Sequence, residues 1–239
     1  MDKFTFKEHY LELKNRLILI ICSYVILSGV CYYFSDYLLE FAIRPLSEMA
    51  IAKMIYTDLA EAFIAHIRIS LFCSTIIIYP FICYQLYQFI SPGLYINEKI
   101  YIRLILFASP LLFFCGISFL YYQIIPNAWE FFVSYGRNYN TISLVLEAKI
   151  SEYLDLFFSL MLAFGLSFQL PVVISILSIL ELITSVELIN KRRVIVVFIF
   201  IVAAILTPPD VLSQIALAIP LILLYEISIF ISKIIEKRK

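Results

Sequence analysis

Long apolar runs separated by short polar breaks organise this chain. A membrane-spanning helix needs about 20 mainly apolar residues, and the runs predict spans at about residues 17–34, 69–90, 100–124, 153–180, 194–209 and 211–230. The uncharged parts of the last two cover only about 24 Å each, against a hydrocarbon core of about 30 Å. We therefore expect an all-α membrane protein whose last two spanning helices are short, with thinned lipid beside them.

The clearest polar break is the stretch FISPGLYINEKIYIR at residues 89–103. Pro92 followed by Gly93 predicts a turn, because neither residue suits a helix interior. Asn97 is a suitable N-cap for the next helix, and Glu98 falls in its first turn. We expect this break and the N-terminal segment to form a docking surface at one membrane face.

The remaining polar segments predict elements outside the hydrocarbon core. Residues 5–8, TFKE, match a capping box and predict a helix that begins near Phe6. Residues 35–68 predict short amphipathic helices, and residues 126–150 predict a polar loop on the same side. The chain has no internal repeat and no separate soluble segment, so residues 1–239 are expected to form one domain.

Composition and charge support this interpretation. Hydrophobic residues make up 63% of the chain, against about 45–50% in soluble domains, and its mean hydropathy is +0.96. Thirteen of the 18 Lys and Arg residues fall on one predicted side, with both termini. The other side has Arg44, Lys53, Arg68, Arg137 and Lys149. Cytoplasmic loops are enriched in basic residues, so six spans with both termini inside fit the pattern.

Residue types that carry chemistry are sparse. The five cysteines lie inside apolar runs without metal-type spacing, which indicates apolar packing, and the two histidines are isolated. No phosphate-binding loop, zinc motif or nucleophile elbow occurs in the sequence. We expect no enzyme activity, no metal or cofactor and no nucleic-acid partner.

Glu12 and Glu98 form the first candidate site, because both lie on the predicted inner face at the ends of spans. Two carboxylates among apolar and aromatic residues would suit a ligand with two guanidinium groups, since Arg–carboxylate pairs are often bidentate. A structural alternative stays open. Glu12 could pair with Arg16 one turn later, and Glu98 could complement the dipole of its own helix.

Two further candidates lie in or between predicted spans. The stretch TPPDVLSQ at residues 207–214 contains Thr207, Pro208, Asp210 and Gln214, and predicts a rigid turn between two short spans. Gln169 lies at membrane depth, where a polar side chain needs a partner and often marks a functional position. An ordinary interhelical hydrogen bond would also explain Gln169.

Several of these stretches resemble motifs of TatC, the multi-spanning core of the twin-arginine protein translocase. They occur in the family's order across nearly the whole chain. The similar stretches are HYLELKNRL at residues 9–17, YQLYQFISPGLYINE at 84–98, AFGLSFQLP at 163–171, LTPPDVLSQ at 206–214 and IPLILLYE at 219–226.

The resemblance implies a concave, glove-shaped bundle of six helices that recognises twin-arginine signal peptides on folded precursors. Transport would use the proton-motive force, without ATP hydrolysis by this subunit. Implied partners are membrane lipid, further copies in a homo-oligomeric receptor, and single-span TatA- and TatB-like subunits along the fifth and sixth helices. The implied location is the bacterial inner membrane, or alternatively the mitochondrial one, with both termini in the cytoplasm or matrix.

The resemblance also implies roles for particular residues. The family's signal-contacting acids match Glu12 and Glu98, and Lys14, Arg16 and Lys99 lie beside them. Lys14 and Lys99 stand where Arg is usual in the family, which keeps the charge but loses the planar fork.

Gln169 is a larger departure from the family pattern, because the family often has an intramembrane Glu at that position.

Two other function classes are alternatives for a multi-spanning chain. A secondary transporter would usually show inverted repeats and ionisable residues near the midplane. A membrane-embedded enzyme would need an acid–base or metal cluster near one face.

Overall fold

The computed structural model describes residues 6–47, 53–93, 96–134, 147–206 and 211–237. These ranges contain nine α-helices, two short strands, a 3₁₀ turn and a π-helical turn. In chain order they are α1 (Phe6–Tyr33), α2 (Ser35–Ser47), β1 (Lys53–Ile55), α3 (Glu61–Ile90), the 3₁₀ turn (Ser91–Gly93), α4 (Ile96–Phe119), the π-helical turn (Leu120–Ile124), α5 (Ile125–Ser134), β2 (Glu147–Lys149), α6 (Ile150–Ser167), α7 (Leu170–Ile179), α8 (Ser185–Leu206) and α9 (Val211–Lys237).

The prediction of an all-α membrane fold is confirmed. Five helical stretches of the described chain are long and apolar enough to cross a membrane. They are His9–Tyr33, Glu61–Gly93, Lys99–Glu130, Ile150–Ile179 and Gln214–Lys237. The remaining predicted span, the fifth in chain order, corresponds to α8, which has 22 residues but carries several charged residues before Val194.

The first helix is described from Phe6, and Thr5 of the predicted capping box lies outside the described residues. α1 packs mainly along α3, where the Tyr24 hydroxyl donates to the Leu71 carbonyl at 3.2 Å. Much of its apolar surface is exposed, including Val25 and Ile26, as expected for a helix that faces lipid. The helix α2 follows at the opposite end and confirms the predicted amphipathic segment.

The second spanning helix, α3, begins at Glu61, eight residues before the start predicted at residue 69. The Glu61 carboxylate explains the early start. It accepts the backbone N–H of Thr57 at 2.7 Å and that of Ser151 at 3.2 Å. One carboxylate therefore binds the segment that leads into α3 and also satisfies a free donor in the first turn of α6. At its other end α3 closes in the 3₁₀ turn, which confirms the turn predicted from Pro92 and Gly93.

The predicted polar loop at residues 126–150 is wrong in its first part, because α5 continues to Ser134. Pro126 lies inside a continuous helical stretch, directly after the π-helical turn, and such a turn is a typical place for a helix to accommodate a proline. Ala128 and Trp129 are buried and hold the helix against the bundle. The sequence also gave no signal for the parallel pairing of β1 with β2, in which Met54 lies opposite Ala148.

The fourth predicted span is two helices, α6 and α7. They are separated at Phe168 and Gln169, and Pro171 lies in the first turn of α7. The α6 helix approaches α4 very closely, since a Cβ atom added to Gly165 would meet the Phe113 ring at 2.5 Å.

The last two helices pack along each other. Their uncharged parts, Val194–Leu206 in the described chain and residues 211–225, are short, as predicted. The helices themselves continue into charged turns, and α9 extends to Lys237 instead of ending near residue 230. Arg192 and Glu226 form a salt bridge of 2.8 Å between these turns. The two helices therefore have short apolar parts and charged turns at one end.

Tyrosine hydroxyls join the helices of the buried core. Tyr225 is fully buried and donates to the Leu188 carbonyl at 2.7 Å, which ties α9 to α8. Tyr121 donates to the Phe41 carbonyl at 2.8 Å, and Tyr153 donates to the carbonyl of Ala42. A buried hydroxyl needs such a partner, so these contacts fix α2 against the π-helical turn and α6.

Candidate functional site

The first candidate site lies at the end of the bundle where α1 begins and where α3 turns into α4, an end called the N-side below. Its central group is the Arg16 guanidinium. Nε and Nη2 of Arg16 donate to Oε1 of Glu12 at 3.0 and 2.7 Å. Nη1 donates to Oε1 of Gln85 at 2.9 Å. One arginine thus joins the amphipathic start of α1 to the end of α3.

Glu12 is held on one side and accessible on the other. Its Oε2 lies 4.0 Å from Nδ1 of His9, and 24% of its side chain is exposed. The His9 ring stacks on Phe89 with 4.5 Å between ring centroids. The i,i+4 pairing with Arg16 that the sequence left open is therefore present. It orients Glu12 without burying the carboxylate.

Glu98 lies in the first turn of α4, as predicted, and its side chain lies outside the described residues. Lys14 is exposed on α1, and Lys99 is partly buried on α4. Arg103 lies one turn further along α4. Its Nε donates to the Tyr87 hydroxyl at 2.9 Å, and its guanidinium lies 5.6 Å from the centroid of that ring. The N-side therefore combines cations and aromatic rings with the Glu12 carboxylate.

The second candidate, Gln169, lies in the break between α6 and α7 and is buried. Its Oε1 accepts a hydrogen bond from the Ser109 hydroxyl at 2.7 Å, and its Nε2 donates to the Ser109 carbonyl at 3.0 Å. The same hydroxyl lies 3.0 Å from the hydroxyl of Tyr79 and 3.5 Å from Sγ of Cys83. This polar cluster joins α3, α4 and the α6–α7 break inside an apolar bundle.

The third candidate is only partly described. Thr207, Pro208 and Asp210 lie outside the described residues. Gln214 lies in the first turn of α9, and its Nε2 donates to the carbonyl of Phe200 on α8 at 3.1 Å. The Gln214 amide therefore joins α9 to α8 close to the segment that connects them.

Sequence reasoning missed two polar partners, Gln85 and Ser109. Both are buried in helices that read as apolar spans. The signal was available, because a polar side chain in a span needs a partner whichever span carries it. The rule that singles out Gln169 singles out Gln85 and Ser109 as well.

The described residues contain no group of three His, Cys, Asp or Glu side chains that could hold a metal ion. All five cysteines are free thiols, and they lie on different parts of α1, α3 and α4. The chemistry available at the N-side is therefore ion pairing and hydrogen bonding, with aromatic surface beside it. Such a surface suits recognition of a charged segment of another molecule.

Comparison with protein families gives a match over residues 8–220 to the family described as "Sec-independent protein translocase protein (TatC)". A relative in Rickettsia prowazekii, "Sec-independent protein translocase protein TatC", is 49% identical over 99% of this chain and 95% of its own length. A protein of the same name in Magnetococcus marinus is 40% identical over 97% of this chain and 85% of its own length.

The fold also matches a solved structure. The crystal structure of a twin arginine translocase receptor, TatC, superposes with a TM-score of 0.79 at 36% sequence identity. The match covers 96% of this chain and 100% of that one. It includes the helices that carry both the N-side cluster and the Gln169 cluster.

Proposed function

The chain belongs to the TatC family of Sec-independent protein translocase proteins, and from that premise we propose that it is the core and signal-peptide receptor of a twin-arginine translocase. In this proposal Glu12 and Glu98 receive the two guanidinium groups of a twin-arginine signal peptide. Lys14, Arg16 and Lys99 complete the surface around them. The attached precursor is already folded, and its transport across the membrane uses the proton-motive force.

One observation carries this proposal. The Glu12 carboxylate already accepts two hydrogen bonds from a guanidinium group, that of Arg16, at 2.7 and 3.0 Å. This pairing supports the binding of an arginine side chain at the carboxylate, whose second oxygen, Oε2, lies 4.0 Å from Nδ1 of His9. A peptide arginine would bind at Oε2 or take the place of Arg16.

Partial burial makes this exchange useful. Arg16 and Glu12 are 23% and 24% exposed, and they pair with each other in the free receptor. An incoming guanidinium replaces an existing ion pair and does not have to desolvate a bare carboxylate. The free energy of binding then depends on how well both peptide arginines are accommodated, which favours a paired motif over a single basic residue.

Binding of a fluorescent twin-arginine signal peptide to the purified protein in nanodiscs tests the proposal. Removing one partner of a desolvated charge pair costs about 2–5 kcal/mol, so Glu98→Ala and Glu12→Ala should each weaken binding at least tenfold. The matched control is Glu187→Ala. Glu187 is an exposed acid in the first turn of α8, away from the N-side cluster, and its loss should leave binding unchanged.

Unchanged affinity in both Glu12→Ala and Glu98→Ala would contradict the assignment, provided that the variants insert and remain monodisperse. A peptide whose two arginines are replaced by lysines gives a second test. Lysine keeps the charge but lacks the planar fork, so the wild-type protein should bind that peptide more weakly.

The relatives are translocase proteins, and this chain is a multi-pass membrane protein of that kind. We further infer that it lies in a bacterial inner membrane, or alternatively a mitochondrial one, with both termini in the cytoplasm or matrix. The bias of basic residues supports this orientation. Single cysteines at Asn190 and Asn138, in a background without the native five, should then react with a membrane-impermeant reagent from opposite sides. Labelling from one side only would contradict the six-span arrangement.

The proposed protein partners are single-span TatA- and TatB-like subunits and further copies of this chain. The surface of α8 supports a helical partner, because Val197, Phe198, Ile201 and Ile205 are all more than half exposed along one helix. Gln214 and the turn that contains Thr207, Pro208 and Asp210 are the proposed polar contacts to partners within the membrane, whereas the contact of Gln169 is to Ser109 inside the bundle.

A further inference from the structure

A groove between α3 and α4 is separate from the Glu12 cluster. Its volume is about 620 Å³, within the range of about 300–1,000 Å³ that ligand sites occupy. Gln85 and Phe89 contact α1, whereas Tyr84 and Tyr87 line the groove. Because successive residues of a helix are about 100° apart, these pairs lie on opposite sides of α3. The groove therefore stays open when α1 is in place.

The groove has a long apolar part. Pro80 and Pro110 face each other across it, and Phe107 and Leu111 extend the apolar wall on α4. Phe107 and Leu111 are 78% and 63% exposed, so the wall lies at the surface of the bundle. In a membrane, this surface contacts hydrocarbon chains.

The other end of the groove is polar and lies at the N-side. Arg103 is there, and its Nε is held by the Tyr87 hydroxyl at 2.9 Å. Tyr84 and Gln88 lie beside it, joined by a hydrogen bond of 3.0 Å from Nε2 to the phenol oxygen. Among the described residues, those that line the groove include this guanidinium and no carboxylate. The groove thus pairs one cationic, hydrogen-bonding end with a hydrocarbon-like floor.

We propose that this groove binds an anionic phospholipid, with the headgroup phosphate at Arg103 and an acyl chain along the floor between Pro80 and Pro110. A guanidinium suits a phosphate group, and basic pockets between membrane helices are typical sites for anionic headgroups. An inserted peptide fits less well. Any peptide group not in a regular helix would have to place its N–H and C=O against apolar walls, whereas an acyl chain has no such groups.

A bound lipid would also stabilise α3 and α4 where they line the groove. Pro80 lies inside α3 and Pro110 lies inside α4, and each removes one backbone hydrogen bond from its helix beside the groove. A bound acyl chain fills the space between them. The phosphate would then restrain Arg103, which lies one turn after Lys99 on α4, the helix that begins at the N-side.

Quenching by brominated lipids tests this inference. Leu111→Trp, in a background with Trp129→Phe, places the only tryptophan beside the groove, and phenylalanine keeps an aromatic ring against Tyr153. In nanodiscs, brominated phosphatidylglycerol should quench this tryptophan with an apparent affinity about fivefold or more above that of brominated phosphatidylcholine, the contribution expected for one basic residue at an anionic surface.

Three further variants define the outcome, all carrying the same reporter. Arg103→Gln should abolish the preference for phosphatidylglycerol and leave quenching by phosphatidylcholine unchanged, which also shows that the groove is intact. Arg103→Lys should keep part of the preference. Lys191→Gln removes an exposed cation of α8 that does not line the groove, and should keep all of it.

Two results would overturn the proposal. One is equal quenching by the two lipids in the reporter protein, which would mean that the groove makes no headgroup selection. The other is competitive loss of lipid quenching on addition of a twin-arginine signal peptide at concentrations that saturate its own binding. That result would identify a peptide as the occupant of the groove.

Discussion

Gln169 and Ser109 hold each other by two hydrogen bonds inside the bundle. The serine hydroxyl donates to the amide oxygen at 2.7 Å, and the amide nitrogen donates to the serine carbonyl at 3.0 Å. Because Ser109 precedes Pro110 in α4, the pair ties the break after α6 to a helix that also contains a proline. A side chain that both donates and accepts is needed for this arrangement, and an amide does so at every pH.

Gln169→Leu should preserve insertion and signal-peptide binding but reduce transport. Leucine removes both hydrogen bonds and leaves the Ser109 hydroxyl with only Tyr79 and Cys83 as described partners. Interhelical hydrogen bonds in membranes contribute about 0.6 kcal/mol each on average, so the loss of stability should be small. Export of a folded reporter with a twin-arginine signal peptide, measured at matched protein levels, checks the prediction.

Gln169→Glu is the matched control, because it is nearly isosteric. As a neutral acid it accepts from the Ser109 hydroxyl and donates to the Ser109 carbonyl, so export should be retained. Ser109→Ala removes the hydroxyl alone and should have a weaker effect than Gln169→Leu. Wild-type export by Gln169→Leu would mean that the amide serves packing only.

Gly165→Ala should destabilise the protein strongly. The added Cβ would meet the Phe113 ring at 2.5 and 2.9 Å, and that ring is itself stacked on Tyr79 with 3.9 Å between centroids. The ring cannot move away without separating α3 from α4. Overpacking of a dense core costs about 1–3 kcal/mol, so we expect a clear fall in the thermal unfolding temperature in detergent.

Gly29→Ala is the control for this prediction. Gly29 lies in α1 with no atom within 4 Å of an added Cβ, and alanine favours a helix by about 1 kcal/mol over glycine. Its unfolding temperature should stay the same or rise. Equal behaviour of the two variants would contradict the close approach of α4 and α6 at Gly165.

Features set by local chemistry were predictable from the sequence. The end of α3 follows from Pro92 and Gly93. The apolar runs predicted the spanning helices, because in a membrane the backbone must satisfy its own hydrogen bonds. The need of Gln169 for a hydrogen-bond partner was predictable in the same way, from the high cost of a polar group at that depth.

Features set by contacts between distant segments were not predictable. The early start of α3 depends on Glu61, which accepts a hydrogen bond from Ser151, 90 residues later. The pairing of β1 with β2 and the burial of Trp129 on α5 also depend on the assembled bundle. The bond from Arg16 to Gln85 spans 69 residues, so the sequence offered only the local pair of Glu12 with Arg16.

Gln85 is therefore expected to act as a positioning residue for the proposed signal-peptide site. Its amide oxygen accepts from Nη1 of Arg16 at 2.9 Å and holds that guanidinium to one oxygen of Glu12. In Gln85→Leu, Arg16 is free to rotate and cover both oxygens of Glu12. Signal-peptide affinity should then fall about three- to tenfold, in line with the net contribution of about 0.5–1.5 kcal/mol from a typical hydrogen bond, while insertion is unchanged.

A double-mutant cycle separates this role from a general loss of packing. If Gln85 acts through Arg16, then Gln85→Leu should weaken binding in the wild-type protein and have no further effect in the Arg16→Gln protein, since interacting residues are not additive. Gln88→Leu, one turn along α3, is the control and should leave affinity unchanged, because Gln88 bonds to Tyr84 and not to Arg16. Equal losses from Gln85→Leu in both backgrounds would mean that the two residues act independently, and that Gln85 supports the end of α3 without positioning the receptor carboxylate.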